Sequence, residues 1–385
     1  MAIARGDAEE RVTNLELFFD LVFVFAITQV TTLMAHEPTW AGLGQGMLVL
    51  SALWFAWASF AWLTNTLNPE EGPVRLAIFA TMAMLLVCSL AVPRAFGDDG
   101  VLFGVTYLMV RVMHLALYAI AARGDTTLWV VVRNLMPGML GAAGLILAAG
   151  FADGTLQALL WVLAIAIEVS GPLIVGVDGW RVHPGHFAER HSLFMIIALG
   201  ESIVAAGVAI GGMALDAELI AAAVLGIVVV AGLWWTYFDV GVHVAAHRLT
   251  AAEGAARSRL ARDSWTFFHL PMVAGILLFA LGVKKALGHL DEPLPLVPAA
   301  ALCGGIAVYF VGQVLFRIRN VRTFSVRRAV TAAALLAAIP LAHAIDALYA
   351  LAVTAALVWS VIIYEVVRYR ANRQSWIHPE EAIPA

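Results

Sequence analysis

Charge is scarce in this sequence, at 13% of residues, while apolar residues make up 62% and the mean hydropathy is +0.88. That balance excludes the soluble globular classes. Cysteine is nearly absent: Cys88 and Cys303 fall in different predicted helices, supporting neither a disulfide framework nor a cysteine metal centre. Polar stretches between the apolar runs stay under ~30 residues, so a separate soluble domain has no room to fold. Also missing are a phosphate-cradling glycine loop, a nucleophile elbow, a His-Glu-x-x-His helix and a Thr-Val-Gly-Tyr-Gly filter. No enzymatic activity and no cofactor are expected. The start, "MAIARGDAEERVT", lacks the pattern of a removable signal peptide, so the first apolar helix is expected to stay in the protein.

What is present is a series of apolar runs, each near the ~20 residues a helix needs to cross a bilayer. They lie at about 15–35, 41–66, 74–92, 100–122, 127–149, 155–176, 191–213, 217–241, 264–283, 297–316, 327–344 and 346–368. The expected fold is all-α: a polytopic membrane protein of about 12 transmembrane helices. Of the 23 Lys and Arg, all but Arg94, Arg111, Lys284 and Lys285 fall at the ends, after even-numbered helices or, like Arg133, near the cytoplasmic start of an odd-numbered one. The positive-inside rule then makes both termini cytoplasmic and the cell membrane the expected location.

The two halves of the chain resemble each other. "LWFAWASFAW" (Leu53 to Trp62) answers "LWWTYFDVGV" (Leu233 to Val242), and "LAVPRAFGD" (Leu90 to Asp98) answers "LGVKKALGH" (Leu281 to His289). Glu10 and Arg11 precede helix one as Glu189 and Arg190 precede helix seven, and Tyr107 corresponds to Tyr309. The chain therefore divides into two tandem six-helix repeats, 1–180 and 181–370, with a cytoplasmic tail at 371–385. An even repeat predicts a pseudo-twofold axis along the membrane normal, with sites where the repeats meet.

At helices one and seven, "LELFFDLVFVFAITQ" (Leu15 to Gln29) and "ERHSLFMIIALGESIVAAG" (Glu189 to Gly207) resemble the most characteristic segments of the bacterial low temperature requirement protein A family. "WWTYFD" (Trp234 to Asp239) and "HLPMVAGI" (His269 to Ile276) are similar too. The resemblance spans nearly the whole chain and implies a polytopic bacterial membrane protein, without a substrate or mechanism. "FFDLVFVFAIT" (Phe18 to Thr28) is also similar to the first-helix motif of potassium channels built from six-helix repeats. That resemblance would put Thr28 in the motif and Phe25 at the pore's constriction. Phe19 and Asn14 depart from it, and the second repeat, with "LFMIIALGES" (Leu193 to Ser202), lacks the motif's Phe-Ser-Asp.

The residues that could carry chemistry are the intramembrane ionisable ones, which mark ion pathways or pair internally. Glu16 and Asp20 are four apart and share a helical face. They form either a cation- or proton-accepting pair or an interfacial acid beside a packing one. Glu201 lies about eleven residues beyond Arg190, ~16 Å deep, where a carboxylate must be protonated, paired or hydrated. Ser202 beside it is a candidate lining residue of the seam between repeats. Arg111 is the basic residue expected at mid-helix, with Glu201, Glu168 and Asp20 competing for it; their excess over one cation hints at proton or cation handling, although a structural pair fits as well. Asp239, His243 and His247 follow one face, with His269 beyond. Asp239 and His243 are weak metal candidates without a third ligand, and no metal is expected. His269 is either a proton relay or a buried, hydrogen-bonded core residue.

The expected function is a proton- or cation-handling transporter or channel. The alternatives are a structural or stress-response membrane protein, and a lipid enzyme built on Asp239, His243 and His269. Expected partners are anionic headgroups at the basic cytoplasmic loops and a proton or monovalent cation. Nucleic acid is not expected, and a homo-oligomer is left open.

Overall fold

The computed structural model describes residues 11–369; the tail assigned to 371–385 lies outside them. The described chain is helical, with α1 (Asn14–His36), α2 (Trp40–Thr64), α3 (Gly72–Ala91), α4 (Gly100–Ala121), α5 (Thr126–Ala149), α6 (Gly154–Ile174) and α7 (Pro184–Ile210). There follow α8 (Ala217–Phe238), α9 (Gly241–Ala251), α10 (Gly254–Leu260), α11 (His269–Leu287), α12 (Leu296–Val321), α13 (Val326–Ala337), α14 (Ile339–Ala344) and α15 (Ala347–Tyr369). Among the described residues there is no strand, only an isolated bridge between Pro293 and Asp346.

Twelve segments are long and apolar enough to span a membrane. Backbone groups in hydrocarbon must bond within their own segment, which is why such sequences become helices. Three spans are less simple than their apolar runs suggest. The eighth breaks at Asp239 and resumes as α9, and the ninth begins at Gly254 and passes through a π-helical turn, Ala261–Phe267, before α11. The eleventh is divided between α13 and α14. Short polar side chains start several helices by accepting the orphan amides of the first turn: Thr39 from Gly42, Asp125 from Leu128 and Asp216 from Leu219.

The described chain forms two compact units. The first comprises residues up to His191 with Ala252–Thr266, the second Ser192–Ala251 with the residues from Phe267 onward. In the first unit α2 is the most enclosed helix, with Trp54, Trp57 and Phe60 almost wholly buried. Exposed apolar residues such as Phe18, Leu21, Leu76 and Leu159 form outer faces suited to lipid.

The core of the second unit is the pair α11 and α12, joined through glycines. A Cβ added to Gly275 would sit 2.6 Å from the Tyr309 amide nitrogen, and one on Gly282 2.6 Å from that of Leu302. One on Gly305 would be 2.7 Å from the Gly275 carbonyl oxygen. In lipid, where apolar surface gains little by leaving its surroundings, such close backbone approach holds helices together. Both cysteines are buried free thiols, one in each unit.

Gly275→Ala is expected to lower the thermal unfolding midpoint of detergent-purified protein, at a cost of about 1–3 kcal/mol from overpacking. Gly144→Ala, where a Cβ meets nothing within 4 Å, should leave the midpoint unchanged or slightly higher.

Candidate functional site

The ionisable residues of the first unit form two clusters. The first begins at the start of α1, where Thr13 and Glu16 close a capping box. The Thr13 Oγ1 accepts from the Glu16 amide at 3.3 Å, and Glu16 Oε2 accepts from the Thr13 amide at 2.9 Å. A negative group also suits a helix N-terminus. The same carboxylate faces His186 Nε2 at 3.0 Å and Arg190 Nη1 at 3.3 Å. One turn further along, Asp20 Oδ1 accepts from Arg190 Nη2 at 2.8 Å and from Trp57 Nε1 at 2.9 Å. The Arg190 guanidinium also lies 5.8 Å from the Trp57 ring centroid, within cation–π range.

The spacing explains the pairing. Glu16 and Asp20 are four apart on α1, and His186 and Arg190 are four apart on α7, so each pair occupies one stripe of its helix. The two stripes meet in order, first residue with first and second with second. Glu16, Asp20 and Arg190 are each at most 2% exposed. A void of about 20 Å³, lined by Thr13, Glu16, Asn65, His183 and His186 among others, opens beside the outer end of this cluster. That is enough for one water. Asp20 Oδ2, further in, is buried without a hydrogen-bond partner among the described residues.

The second cluster centres on Arg111, midway along α4. Its Nη2 donates to both carboxylate oxygens of Glu168 on α6 at 2.9 Å. Its Nη1 donates to Ser59 Oγ at 2.8 Å on α2, where His114 Nε2 meets the Ser59 carbonyl at 3.1 Å. Of the three acids expected to compete for Arg111, Glu168 pairs with it, and Asp20 pairs with Arg190. The buried acids Glu16, Asp20, Glu168 and Glu201 still outnumber the buried arginines, but the expectation of a single buried cation is corrected by Arg190. The sequence placed that residue just ahead of helix seven, whereas it is wholly buried within α7. His186 was missed as well, and the available signal was the basic i, i+4 pair opening α7 opposite the acidic pair opening α1.

In the second unit, Glu201 and Ser202 are buried on α7, at 2% and 3% exposure. His269 is buried at the start of α11 and bonds Tyr237 Oη through Nε2 at 2.7 Å. Asp239 lies at the break after α8 and lines a cavity of about 440 Å³, while His243 and His247 are exposed on α9. Among the described residues no three His, Cys, Asp or Glu side chains gather as a metal site. Phe25 and Thr28, both half-buried, belong to the first unit, and Thr28 Oγ1 donates back to the Val24 carbonyl at 3.1 Å. The tyrosines matched by the sequence repeat make like bonds: Tyr107 Oη donates to the Ala52 carbonyl in the first unit, and Tyr309 Oη to that of Leu233 in the second.

These features define a class, the polytopic α-helical membrane proteins with buried ion pairs between neighbouring helices. Within that class the chain belongs to the family described as bacterial low temperature requirement A protein (LtrA), which matches residues 11–363. A curated relative from Rhizobium meliloti (strain 1021), described as an uncharacterized protein, is 31% identical over 312 residues, covering 77% of this chain and 75% of the relative. No solved structure matches the chain.

Removing one member of a buried ion pair strands the other charge, at a typical cost of about 3–5 kcal/mol, whereas an apolar replacement of both is often tolerated. Arg111→Met and Glu168→Leu are each expected to lower the unfolding midpoint sharply. The double variant should recover most of the loss, and a thermal double-mutant cycle on purified protein measures the difference.

Proposed function

We propose that this protein is a proton- or cation-handling transporter or channel of the bacterial cell membrane. Its relay runs through Glu16, His186, Arg190 and Asp20. The observation that carries the proposal is Asp20 Oδ2, a buried carboxylate oxygen without a hydrogen-bond partner among the described residues. It lies one helical turn beyond a water-sized polar void at Glu16 and His186. Intramembrane acids with access to water commonly serve ion paths. A guanidinium shared by two acids supplies the means of exchange: a proton on Asp20 weakens its bond to Arg190 and leaves that charge to Glu16. A water held in the void would link the Glu16 end to the cytoplasm expected from the distribution of basic residues. Glu201, buried on α7 in the second unit, is a separate candidate ion-handling acid. No chemical reaction is proposed for the protein.

The close pairing of Arg111 with Glu168 favours a second role for that cluster, bracing α2, α4 and α6 without moving an ion. Flux through liposomes containing purified protein, read with an internal pH dye and with potassium gradients, separates the two. Wild-type protein is expected to pass protons or a monovalent cation, and Asp20→Asn and Glu201→Gln should each reduce that flux at least tenfold while the protein remains folded. Folded wild-type protein passing neither ion under any gradient would leave the bracing role.

A further inference from the structure

An alkali cation and a proton make different demands on a buried site. The cation must exchange its hydration shell for several oxygens set around a space of its own size, as the carbonyl rings of potassium-selective filters do. A proton needs one basic atom and no space. The oxygens, the room and the charge of the cluster of Glu16, His186, Arg190 and Asp20 decide between the two.

The oxygens are mostly taken. Glu16 Oε2 accepts from the Thr13 amide and faces His186 Nε2 at 3.1 Å, and Glu16 Oε1 faces His186 Nε2 at 3.0 Å and Arg190 Nη1 at 3.3 Å. Asp20 Oδ1 accepts from Arg190 and from Trp57. Of the four carboxylate oxygens, Asp20 Oδ2 alone is without a hydrogen-bond partner among the described residues, and it is sealed from solvent. One oxygen is too few to replace a hydration shell. The room is equally small. The void at Glu16 and His186, of about 20 Å³, holds a single water, and a second void of about 10 Å³ beside Glu16 and Arg190 is walled by Leu15, Phe19, Phe60 and Ile78.

Charge is the third constraint. Two carboxylates share one guanidinium, whose charge is permanent. With His186 neutral, the cluster is therefore short of one positive charge. An alkali cation placed there would lie against the fixed charge of Arg190, in surroundings that screen poorly. One proton supplies the same charge by forming a single O–H bond on a carboxyl or N–H bond on His186.

We infer that the ion this cluster takes up is a proton and not an alkali cation, and that Asp20 is the carboxyl that holds it away from the void. The inference rests on the ion-handling reading of the same residues. A hydronium at the void is left as water, its proton ends on Asp20 as a neutral carboxylic acid, and the guanidinium of Arg190 then balances Glu16 alone.

The test uses full-length protein in liposomes, with each variant's unfolding midpoint as the check that it is folded. Infrared difference spectra between acidic and alkaline buffer are expected to contain the carbonyl stretch of a protonated carboxyl, which Asp20→Asn removes and Asp20→Glu, retaining a carboxyl, shifts. Replacing sodium by potassium at fixed pH should change no carboxylate band. Uptake of tracer rubidium should equal that of protein-free liposomes, while an internal pH dye reports proton entry that Asp20→Asn abolishes. Carboxylate bands that respond to potassium in wild-type protein but not in Asp20→Asn would overturn the inference, as would rubidium uptake that depends on Asp20; either result keeps the ion-handling reading and changes its ion. The absence of an Asp20-dependent carboxyl band would overturn it as well. The band without flux of either ion upholds the proton as the ion bound and removes the transport reading instead.

Discussion

A guanidinium cannot shed its proton, so wherever helix packing draws one out of water its counter-charge must come from the protein. The first unit is organised around this constraint at two places. Arg190 ties the start of α7 to α1 through Glu16 and Asp20, and through Asp20 to Trp57 on α2. Arg111 joins α4 to α6 through Glu168 and to α2 through Ser59. Apolar contact alone discriminates weakly among helix registers in lipid, because the displaced solvent is itself apolar. Pairs that must be satisfied one against another select a single register.

Much of the fold was legible because the bilayer leaves few options. Long apolar runs must be helices, and all twelve appear as spans. Irregularities inside the spans were less visible. The break at Asp239 and the π-helical turn at Ala261–Phe267 leave no mark in the run of apolar residues from which the spans are read. The site was legible in its acids and illegible in its partners: the candidate carboxylates Glu16, Asp20, Glu168 and Glu201 are all buried. Position along the sequence gave Arg190 to the membrane surface, since a basic residue near a helix start ordinarily stays in water. What draws it inward is the pair of acids at matching spacing on another helix, a relation invisible while each helix is considered alone.

The units share a bonding theme with different chemistry. On α4 of the first unit, Arg111 follows Tyr107 by four residues; on α12 of the second, Gln313 follows Tyr309 by four. Arg111 reaches Glu168 on α6 directly, whereas Gln313 reaches Glu365 on α15 through Arg328 of α13. Glu168 on α6 is thus joined to α4 by a charged side chain, and Glu365 on α15 to α12 by an amide with a borrowed arginine. In the second unit, Gln313, Arg328 and Glu365 border a cavity.

Glu16 holds two positions at once. Its carboxylate accepts the Thr13 amide that would otherwise be an unsatisfied end of α1, and it also faces His186 and Arg190. Adding a proton to it would take an acceptor from the capping box and a counter-charge from the arginine in the same event. The place where the first membrane helix starts to wind and the electrical state of the site are therefore one variable, so a change of charge there would be felt by the chain ahead of α1 as a fraying or tightening of its first turn.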